Sequence, residues 1–235
     1  MQRAWIIGNG PSLIDTPLNL LKDEVSFACN RIHLIFDKTD WRPSYIVRGD
    51  VGGLKKSEEY DLAEELKLQY NLGIPMRLHI GYKGLKNCYG LARWFPKKYD
   101  EVFFPVCSHE GKHYGEPGCA TSWHLPSICT GASTVHIAMQ LAVNYGYGPL
   151  YLVGCDAGFG KGRYDHFDPR YYDRRGVVSS AMRNRDTIAA HEVAKKSCPV
   201  EIYNCTLGGE LNMYPRMSIE EVLDGKWHRG KVKHG

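Results

Sequence analysis

The fold is decided by the stretch Ala4-Trp5-Ile6-Ile7-Gly8-Asn9-Gly10-Pro11-Ser12-Leu13 near the start of the chain. An unbroken apolar run, Ala4 to Ile7, passes directly into a turn that is rich in glycine. Such a run, without alternating polar residues, is typical of a strand buried on both faces of a parallel sheet. The glycines after it predict a place where the backbone can closely approach a ligand such as a phosphate.

Similar apolar runs recur along the chain, and several end in Gly, Asn or Asp. They are Val25 to Cys29, Tyr45 to Val47, Met76 to Ile80, Val102 to Val106, Leu150 to Val153 and Val200 to Tyr203. Helical patterns lie between them, at Ser57 to Leu72, Ser133 to Tyr145 and Asn184 to Lys196. Strands that alternate with helices predict an α/β protein with a Rossmann-like, doubly wound, mostly parallel sheet and helices on both faces.

The composition is that of an ordinary globular protein, with 235 residues of which 43% are hydrophobic and 24% charged. It excludes collagen, coiled-coil and disordered chains. We expect a single Rossmann-like domain over residues 1–235. Within it, residues 81–127 are too long and irregular for a simple connection and are predicted to form an insertion or lid. Residues 226–235 are predicted to be a basic tail.

The charge balance limits the partners. The chain has 30 Lys and Arg against 26 Asp and Glu, a net charge of +4. This excess is too small for a nucleic-acid-coating surface and favours an anionic small-molecule substrate. No apolar run approaches the roughly 20 residues of a membrane helix, and the chain enters a strand pattern too early for a signal peptide. We expect a cytoplasmic protein without an integral membrane segment, which could form a homo-oligomer.

The eight cysteines do not form a recognisable framework. Cys29, Cys155 and Cys205 lie in or at the ends of apolar runs, where we expect small buried residues. The Cys- and His-rich stretch 107–129 has residue types that can bind zinc, but it lacks a CxxC or HExxH spacing. A loop is favoured there over a structural zinc site.

Polar residues stand at strand exits or helix entries throughout the chain. Asn30, Asp50 and Asp156 each follow an apolar run, and Thr130-Gly131-Ala132-Ser133 opens a helix. Because ligands bind beyond the carboxyl ends of the strands in an open parallel sheet, these residues are expected to meet Asn9 and Gly10 in one crevice. The glycine-rich turn has neither the Walker A nor the GxGxxG spacing, so a P-loop or NAD site is disfavoured.

These motifs resemble a known superfamily. Gly8-Asn9-Gly10-Pro11-Ser12-Leu13, Phe27-Ala28-Cys29-Asn30, Thr130-Gly131 and Leu150-Tyr151-Leu152-Val153-Gly154-Cys155-Asp156 are similar to bacterial CMP-sialic-acid-dependent sialyltransferases and to the 6-hydroxymethylpterin diphosphokinase MptE-like family. The stretch Tyr203 to Leu211, with Tyr214-Pro215-Arg216, resembles the ending of the MptE-like group more closely. The resemblance covers nearly the whole chain except the insertion.

The sialyltransferase resemblance implies roles for individual residues. The resemblance and the positions at strand exits together indicate one set of residues for binding the nucleotide and the donor. These residues are Asn9, Gly10, Ser12, Asn30, Asp50, Thr130, Gly131, Ala132 and Asp156. The resemblance also implies a histidine as general base and tyrosines that bind the leaving phosphate. The segment after Asp156 offers His166 as the candidate base and Tyr164, Tyr171 and Tyr172 as the tyrosines, with Tyr164 taken as the catalytic one.

Two other histidines are interpreted as structural. His136 lies on a helix that is apolar almost all round, and His191 lies in the last long helix. A histidine in such a setting is more often a hydrogen-bonded core residue than a ligand.

The resulting hypothesis is a nucleotide-dependent transferase that moves a sialic-acid-like sugar from a CMP-sugar to a glycan or small-molecule acceptor. No metal or other cofactor is obligatory, because tyrosines and backbone donors can stabilise the leaving nucleotide. The alternative is an MptE-like pyrophosphokinase acting on a pterin-like hydroxymethyl substrate, with ATP and magnesium held by Asp50 and Asp156. A third possibility is a non-catalytic nucleotide-binding relative, since the histidine position of the sialyltransferases corresponds to Met182 here.

Overall fold

The computed structural model describes residues 1–48, 76–78, 106–107, 123, 128–129, 133–158, 165–171 and 180–225. Several predictions fall outside these residues. They are the helix at 57–72, most of the insertion at 81–127, the tail at 226–235, and the site candidates Asp50, Thr130, Gly131, Ala132, Tyr164 and Tyr172.

The centre of the fold is a six-stranded parallel sheet. Its strands are β1 (Ala4–Ile7), β2 (Ser26–Cys29), β3 (Tyr45–Arg48), β4 (Met76–Leu78), β7 (Leu150–Val153) and β8 (Ile202–Asn204). They lie in the order β4-β3-β2-β1-β7-β8, with every neighbouring pair parallel. A separate parallel pair joins β5 (Val106–Cys107) and β6 (Ile128–Cys129). The predicted α/β doubly wound architecture is confirmed.

The continuous apolar runs are explained by cores on both faces of the sheet. Side chains of one strand alternate between two clusters, so Ala4 and Ile6 pack into one while Trp5 and Ile7 pack into the other. The same alternation occurs in β2, β3 and β7. Since both faces of each strand are covered, every position in the strand favours an apolar residue.

Two helices pack on the face of the sheet to which Ala4 and Ile6 point. α1 (Thr134–Asn144) lies within the predicted range, and the side chain of Ser133 caps it by accepting from the amide of His136. α2 (Ser180–Ser197) contains the predicted range but begins earlier, at Ser180 instead of Asn184. The periodic pattern in the sequence missed the first turn of α2.

Short elements cover the described part of the second face. Three 3₁₀ helices, Pro11–Asp15, Leu18–Leu21 and Ile32–Ile35, follow β1 and β2, and α3 (Ile219–Leu223) follows β8. α3 begins with a capping box between Ser218 and Glu221. Sequence periodicity did not predict these elements, because each is too short to show a repeating apolar stripe.

Among the described helices, none has the length and apolar character needed to cross a bilayer. Cys29, Cys155 and Cys205 are buried and unbridged, as predicted.

Candidate functional site

A pocket lies where the order of the strands reverses. From β1 the chain builds β2, β3 and β4 on one side, and it later adds β7 and β8 on the other. At such a switch point the connections leave in opposite directions, which opens a crevice beyond the carboxyl ends of the strands. The crevice has a volume of about 400 Å³ and is lined from the ends of β1, β2 and β7, the start of α1, residues 165–171 and α2. The sequence had predicted this location.

The structure brings most of the described candidates together. Asn9, Gly10, Asn30, Asp156 and His166 all line the pocket. Ser12 is not part of the lining, and its hydroxyl donates a hydrogen bond to the carboxylate of Asp156.

Asn9 connects three parts of the site. Its side-chain amide donates to the carbonyl oxygen of Cys29 at 2.7 Å and to the hydroxyl of Tyr171 at 3.0 Å. Its backbone carbonyl accepts from the amide of Phe167 at 3.1 Å. The side chain is only 7% exposed, and its Oδ1 has no hydrogen-bond partner within the described residues. The side-chain nitrogen of Asn9 therefore joins the ends of β1 and β2 to Tyr171, and its Oδ1 is a buried acceptor at the pocket.

Asn30 fastens the end of β2 to the start of α1. Its φ of 47° lies in the left-handed region, which asparagine tolerates better than most residues. Its side chain exchanges hydrogen bonds of 3.1 and 3.2 Å with the hydroxyl of Thr134. Thr134 and Val135 also line the pocket, and first-turn amides have no acceptor inside their own helix. The partial positive charge of a helix N-terminus is thus presented to the pocket.

Asp156 organises the glycine-rich turn. Its carboxylate accepts from the hydroxyl of Ser12 at 2.8 Å and from the Ser12 amide at 3.3 Å. Burial raises the pKa of Asp156, while the hydrogen bonds from Ser12 oppose that shift. A side chain on Gly10 would overlap this carboxylate, and the Gly10 amide donates to the carbonyl of Gly154 at 2.8 Å. The absence of a side chain at Gly10 therefore makes room for the carboxylate of Asp156.

His166 lies on residues 165–171, a segment that lines the pocket and is bound to Arg31 by a hydrogen bond. Its ring lies against that of Tyr171, with the ring centroids 3.8 Å apart. A guanidinium nitrogen of Arg31 donates to the carbonyl of Arg170 at 2.7 Å, and Arg170 pairs with Asp168 at 2.6 Å. The hydrogen bonds from Arg170 lower the pKa of Asp168. Residues 165–171 thus carry the candidate base and a candidate tyrosine on one side of the pocket.

Sequence reasoning missed Thr187 as a pocket residue and assigned His191 only a structural role. Both line the pocket from consecutive turns of α2. The Nδ1 atom of His191 lies 3.0 Å from the hydroxyl of Tyr214, and burial lowers the pKa of His191 to about 4. His191 is thus the buried, hydrogen-bonded residue that was predicted, and it also faces the pocket. The four-residue spacing, which places two side chains on one helix face, was the available signal.

His136 fits its structural interpretation. It is buried, and its ring lies edge-on to that of His191 with the centroids 5.8 Å apart.

Two thiols line the pocket without being available as nucleophiles. Burial raises the pKa of Cys155 to about 12 and that of Cys29 well above its usual value. Since the thiolate is the reactive form, neither side chain is an activated nucleophile at neutral pH.

The described lining of the pocket carries negative charge. The part of the lining that the structure describes contains Asp156 and Asp165 but neither lysine nor arginine. Attraction for an anionic group in this part therefore falls to the N-terminus of α1. The described residues contain no group of three or more His, Cys, Asp or Glu side chains that could hold a metal.

Replacing Asp156 tests its organising role. We expect Asp156→Asn to lower the free energy of unfolding by about 1 kcal/mol, because the neutral amide cannot accept from Ser12 through both of its side-chain heavy atoms. Nucleotide affinity should fall by roughly 1 to 2 kcal/mol as the turn relaxes. Urea unfolding and calorimetric titration measure the two effects.

Ser12→Ala is the matched control, since it removes one of the same hydrogen bonds but leaves the carboxylate. If Asp156→Asn changes neither stability nor affinity, the carboxylate has no organising role in the site.

Comparisons with known proteins agree with the fold. No protein-family model matches the sequence, and no curated protein matches it. Among solved structures, the chain is similar to the MAf glycosyltransferase from Magnetospirillum magneticum AMB-1, with a TM-score of 0.56 and 14% sequence identity. The match covers 92% of this chain and 33% of that one, so this chain spans about a third of its length. At this identity the likeness supports the α/β Rossmann-like fold.

Proposed function

We propose that this protein is a nucleotide-dependent transferase of the glycosyltransferase type. The observation that carries the proposal is the polar pocket at the switch point, where Asn9, Asn30 and the N-terminus of α1 meet. The fold likeness to a glycosyltransferase supports the same reaction class. The finer proposal, which rests on the sequence resemblance, is that the donor is a CMP-activated acidic sugar and the acceptor a glycan or small hydroxyl compound.

The geometry suggests how a nucleotide would be held. The donor's phosphate suits the N-terminus of α1, where first-turn amides that have no acceptor inside the helix and the helix dipole favour an anion. Asn9 Oδ1 suits a hydroxyl or amino group, because it is a buried acceptor without a described partner. Asp156 acts indirectly, because its hydrogen bonds with Ser12 fix the turn that carries Asn9.

His166 is proposed as the general base. It would take the proton of the acceptor hydroxyl while that oxygen attacks the anomeric carbon of the donor sugar. The bond from the anomeric carbon to the phosphate oxygen breaks, and the nucleotide leaves with the bonding electrons. The helix N-terminus and a tyrosine hydroxyl, with Tyr164 and Tyr171 as candidates, would stabilise the charge on the leaving phosphate. This mechanism requires no metal.

A nucleotide panel tests the proposed function. We expect CMP to raise the melting temperature by about 5 to 10 °C at a concentration a hundred times its Kd, without magnesium. ATP, GDP, UDP and NAD, each with and without magnesium, are the comparisons. Asn9→Ala should reduce the CMP shift, because the variant loses the buried acceptor and the contact with Tyr171.

The other outcomes discriminate among the alternatives. A shift with NAD alone would overturn the proposal, and a shift with ATP that needs magnesium would favour the pyrophosphokinase. CMP binding without sugar transfer to any acceptor would indicate a non-catalytic relative.

Replacing His166 tests its role in the reaction. We expect His166→Gln to lower turnover by about 10² to 10⁴ while leaving nucleotide affinity nearly unchanged, because a general base acts on the acceptor. Steady-state kinetics with a confirmed acceptor measure the first effect, and calorimetry the second. Tyr171→Phe, which keeps the ring against His166 but removes the hydroxyl bonded to Asn9, should mainly weaken binding. Unchanged turnover in His166→Gln would assign the base to another group.

A further inference from the structure

Thr187 carries a buried hydroxyl that has no hydrogen-bond partner among the residues that the structure describes. The residue is 4% exposed and lines the pocket, and its Oγ1 makes no hydrogen bond within the described part of the chain. Leaving a buried hydroxyl unpaired is unfavourable, so such a group in a folded protein calls for an explanation. Because it faces a pocket, a ligand or an ordered water can supply the missing partner.

His191, one turn further along α2, offers a defined acceptor beside it. The hydroxyl of Tyr214 lies 3.0 Å from both the Nδ1 atom and the backbone carbonyl of His191. Both contacts are hydrogen bonds if the tyrosine donates its single proton to the carbonyl and Nδ1 donates to the tyrosine oxygen. A neutral ring with its proton on Nδ1 keeps Nε2 as an acceptor. The low pKa of His191, which burial causes, agrees with a neutral ring.

The character of this part of the pocket indicates the ligand group. Asn9 Oδ1 is a buried acceptor on the same pocket with no hydrogen-bond partner among the described residues, and the described lining contains carboxylates but no lysine or arginine. A phosphate would meet no positive side chain in this described part of the pocket. A group that both donates and accepts hydrogen bonds, and that carries no charge, satisfies Thr187 and the two acceptors together.

We propose that Thr187 and His191, with Asn9 Oδ1, form an uncharged hydrogen-bonding subsite that takes the hydroxyl groups of a sugar ring. The assignment rests on the proposed function, which supplies two rings with this chemistry. One is the ribose of the nucleotide and the other is the sugar to be transferred.

The affinity of Thr187→Val for three probes tests the subsite. The probes are CMP, its 2′,3′-dideoxy analogue and CMP-sialic acid, titrated calorimetrically against the wild type and the variant. We expect the variant to bind at least one hydroxyl-bearing probe about fivefold to tenfold more weakly, since one hydrogen bond is lost. A loss for CMP but not for the dideoxy analogue assigns the ribose, and a loss for CMP-sialic acid alone assigns the transferred sugar.

The stability of the free variant gives an independent readout. Because valine replaces an unpaired hydroxyl with a methyl group of similar size, Thr187→Val should raise the melting temperature by about 2 °C or more. Thr206→Val is the matched control, since the hydroxyl of buried Thr206 accepts from the amide of Cys155 at 3.0 Å and its removal should lower the melting temperature. Thr187→Ser, which keeps the hydroxyl, should retain affinity, and Thr187→Ala replaces the valine variant if that variant does not fold.

The outcomes separate this inference from the proposed function. A wild type that binds none of the probes overturns the proposed function and the subsite with it. Wild-type binding that Thr187→Val leaves unchanged overturns the subsite alone and leaves an ordered water as the partner of the hydroxyl. An equal loss for all three probes also overturns the subsite, because the contact would then be to the base or the phosphate.

Discussion

Gly209→Ala is expected to lower the free energy of unfolding by about 2 to 5 kcal/mol. Gly209 has a φ of +79°, in the left-handed region where a side chain costs roughly 1 to 2 kcal/mol. A Cβ added there would lie 2.5 Å from Cα of Asp156, and overpacking of this kind costs typically 1 to 3 kcal/mol. The backbone of Asp156 cannot easily retreat, because its carbonyl accepts from the amide of Glu210 at 2.7 Å. Urea unfolding measures the loss.

The neighbouring glycine provides the control. A Cβ on Gly208 would meet nothing within 4 Å, so Gly208→Ala should change stability by less than about 0.5 kcal/mol. Nucleotide binding should also weaken in Gly209→Ala, since the displaced residue is Asp156. Equal stability of the two variants would show that the close contact between Gly209 and the backbone of Asp156 does not constrain the fold.

Acidification is expected to remove about 3 kcal/mol of stability through His191 between pH 7 and pH 4. Burial lowers its pKa to about 4 in the folded protein, against about 6.5 for an unfolded chain. Within this interval the unfolded state binds a proton that the folded state does not, so stability falls as the pH falls. The full contribution is present above pH 6.5, and the loss levels off below pH 4. Urea unfolding at a series of pH values measures the slope.

A variant isolates this histidine from other titrating groups. His191→Asn keeps an amide that can donate to Tyr214 but does not titrate, so its stability should vary less over the same interval. The lowered pKa values of Glu24 and Asp168, caused by their pairing with Arg3 and Arg170, produce their own loss of stability in more acidic solution. Parallel curves for the wild type and His191→Asn would contradict the assignment to His191.

The sequence predicted the sheet well because a strand buried on both faces needs apolar residues at consecutive positions. The runs Ala4 to Ile7 and Leu150 to Val153 match β1 and β7 residue for residue. Strand ends that carry Asn or Asp then predicted the crevice, since parallel strands end at one edge of the sheet. The helical pattern at Ser133 to Tyr145 predicted α1 correctly, because the packing of α1 on that sheet requires apolar residues along the helix.

The partners of the site residues were not predictable in the same way. Asp156 meets Ser12, Asn9 meets Tyr171, and His191 meets Tyr214. Each pair joins segments that are far apart or belong to different elements, so no periodic pattern records it. Thr187 shows the limit most clearly, because only atomic positions reveal that its buried hydroxyl has no partner among the described residues.

The sequence alone determined the α/β class, the strands around β1 and the edge of the sheet where polar residues gather. These features depend on which residue types alternate or cluster within a short window, and burial imposes them locally. The tertiary structure decided that Gly10 accommodates a carboxylate, that His191 stays neutral and that Thr187 faces the pocket. These properties depend on desolvation and on distances between atoms of distant segments, which exist only after the chain has packed.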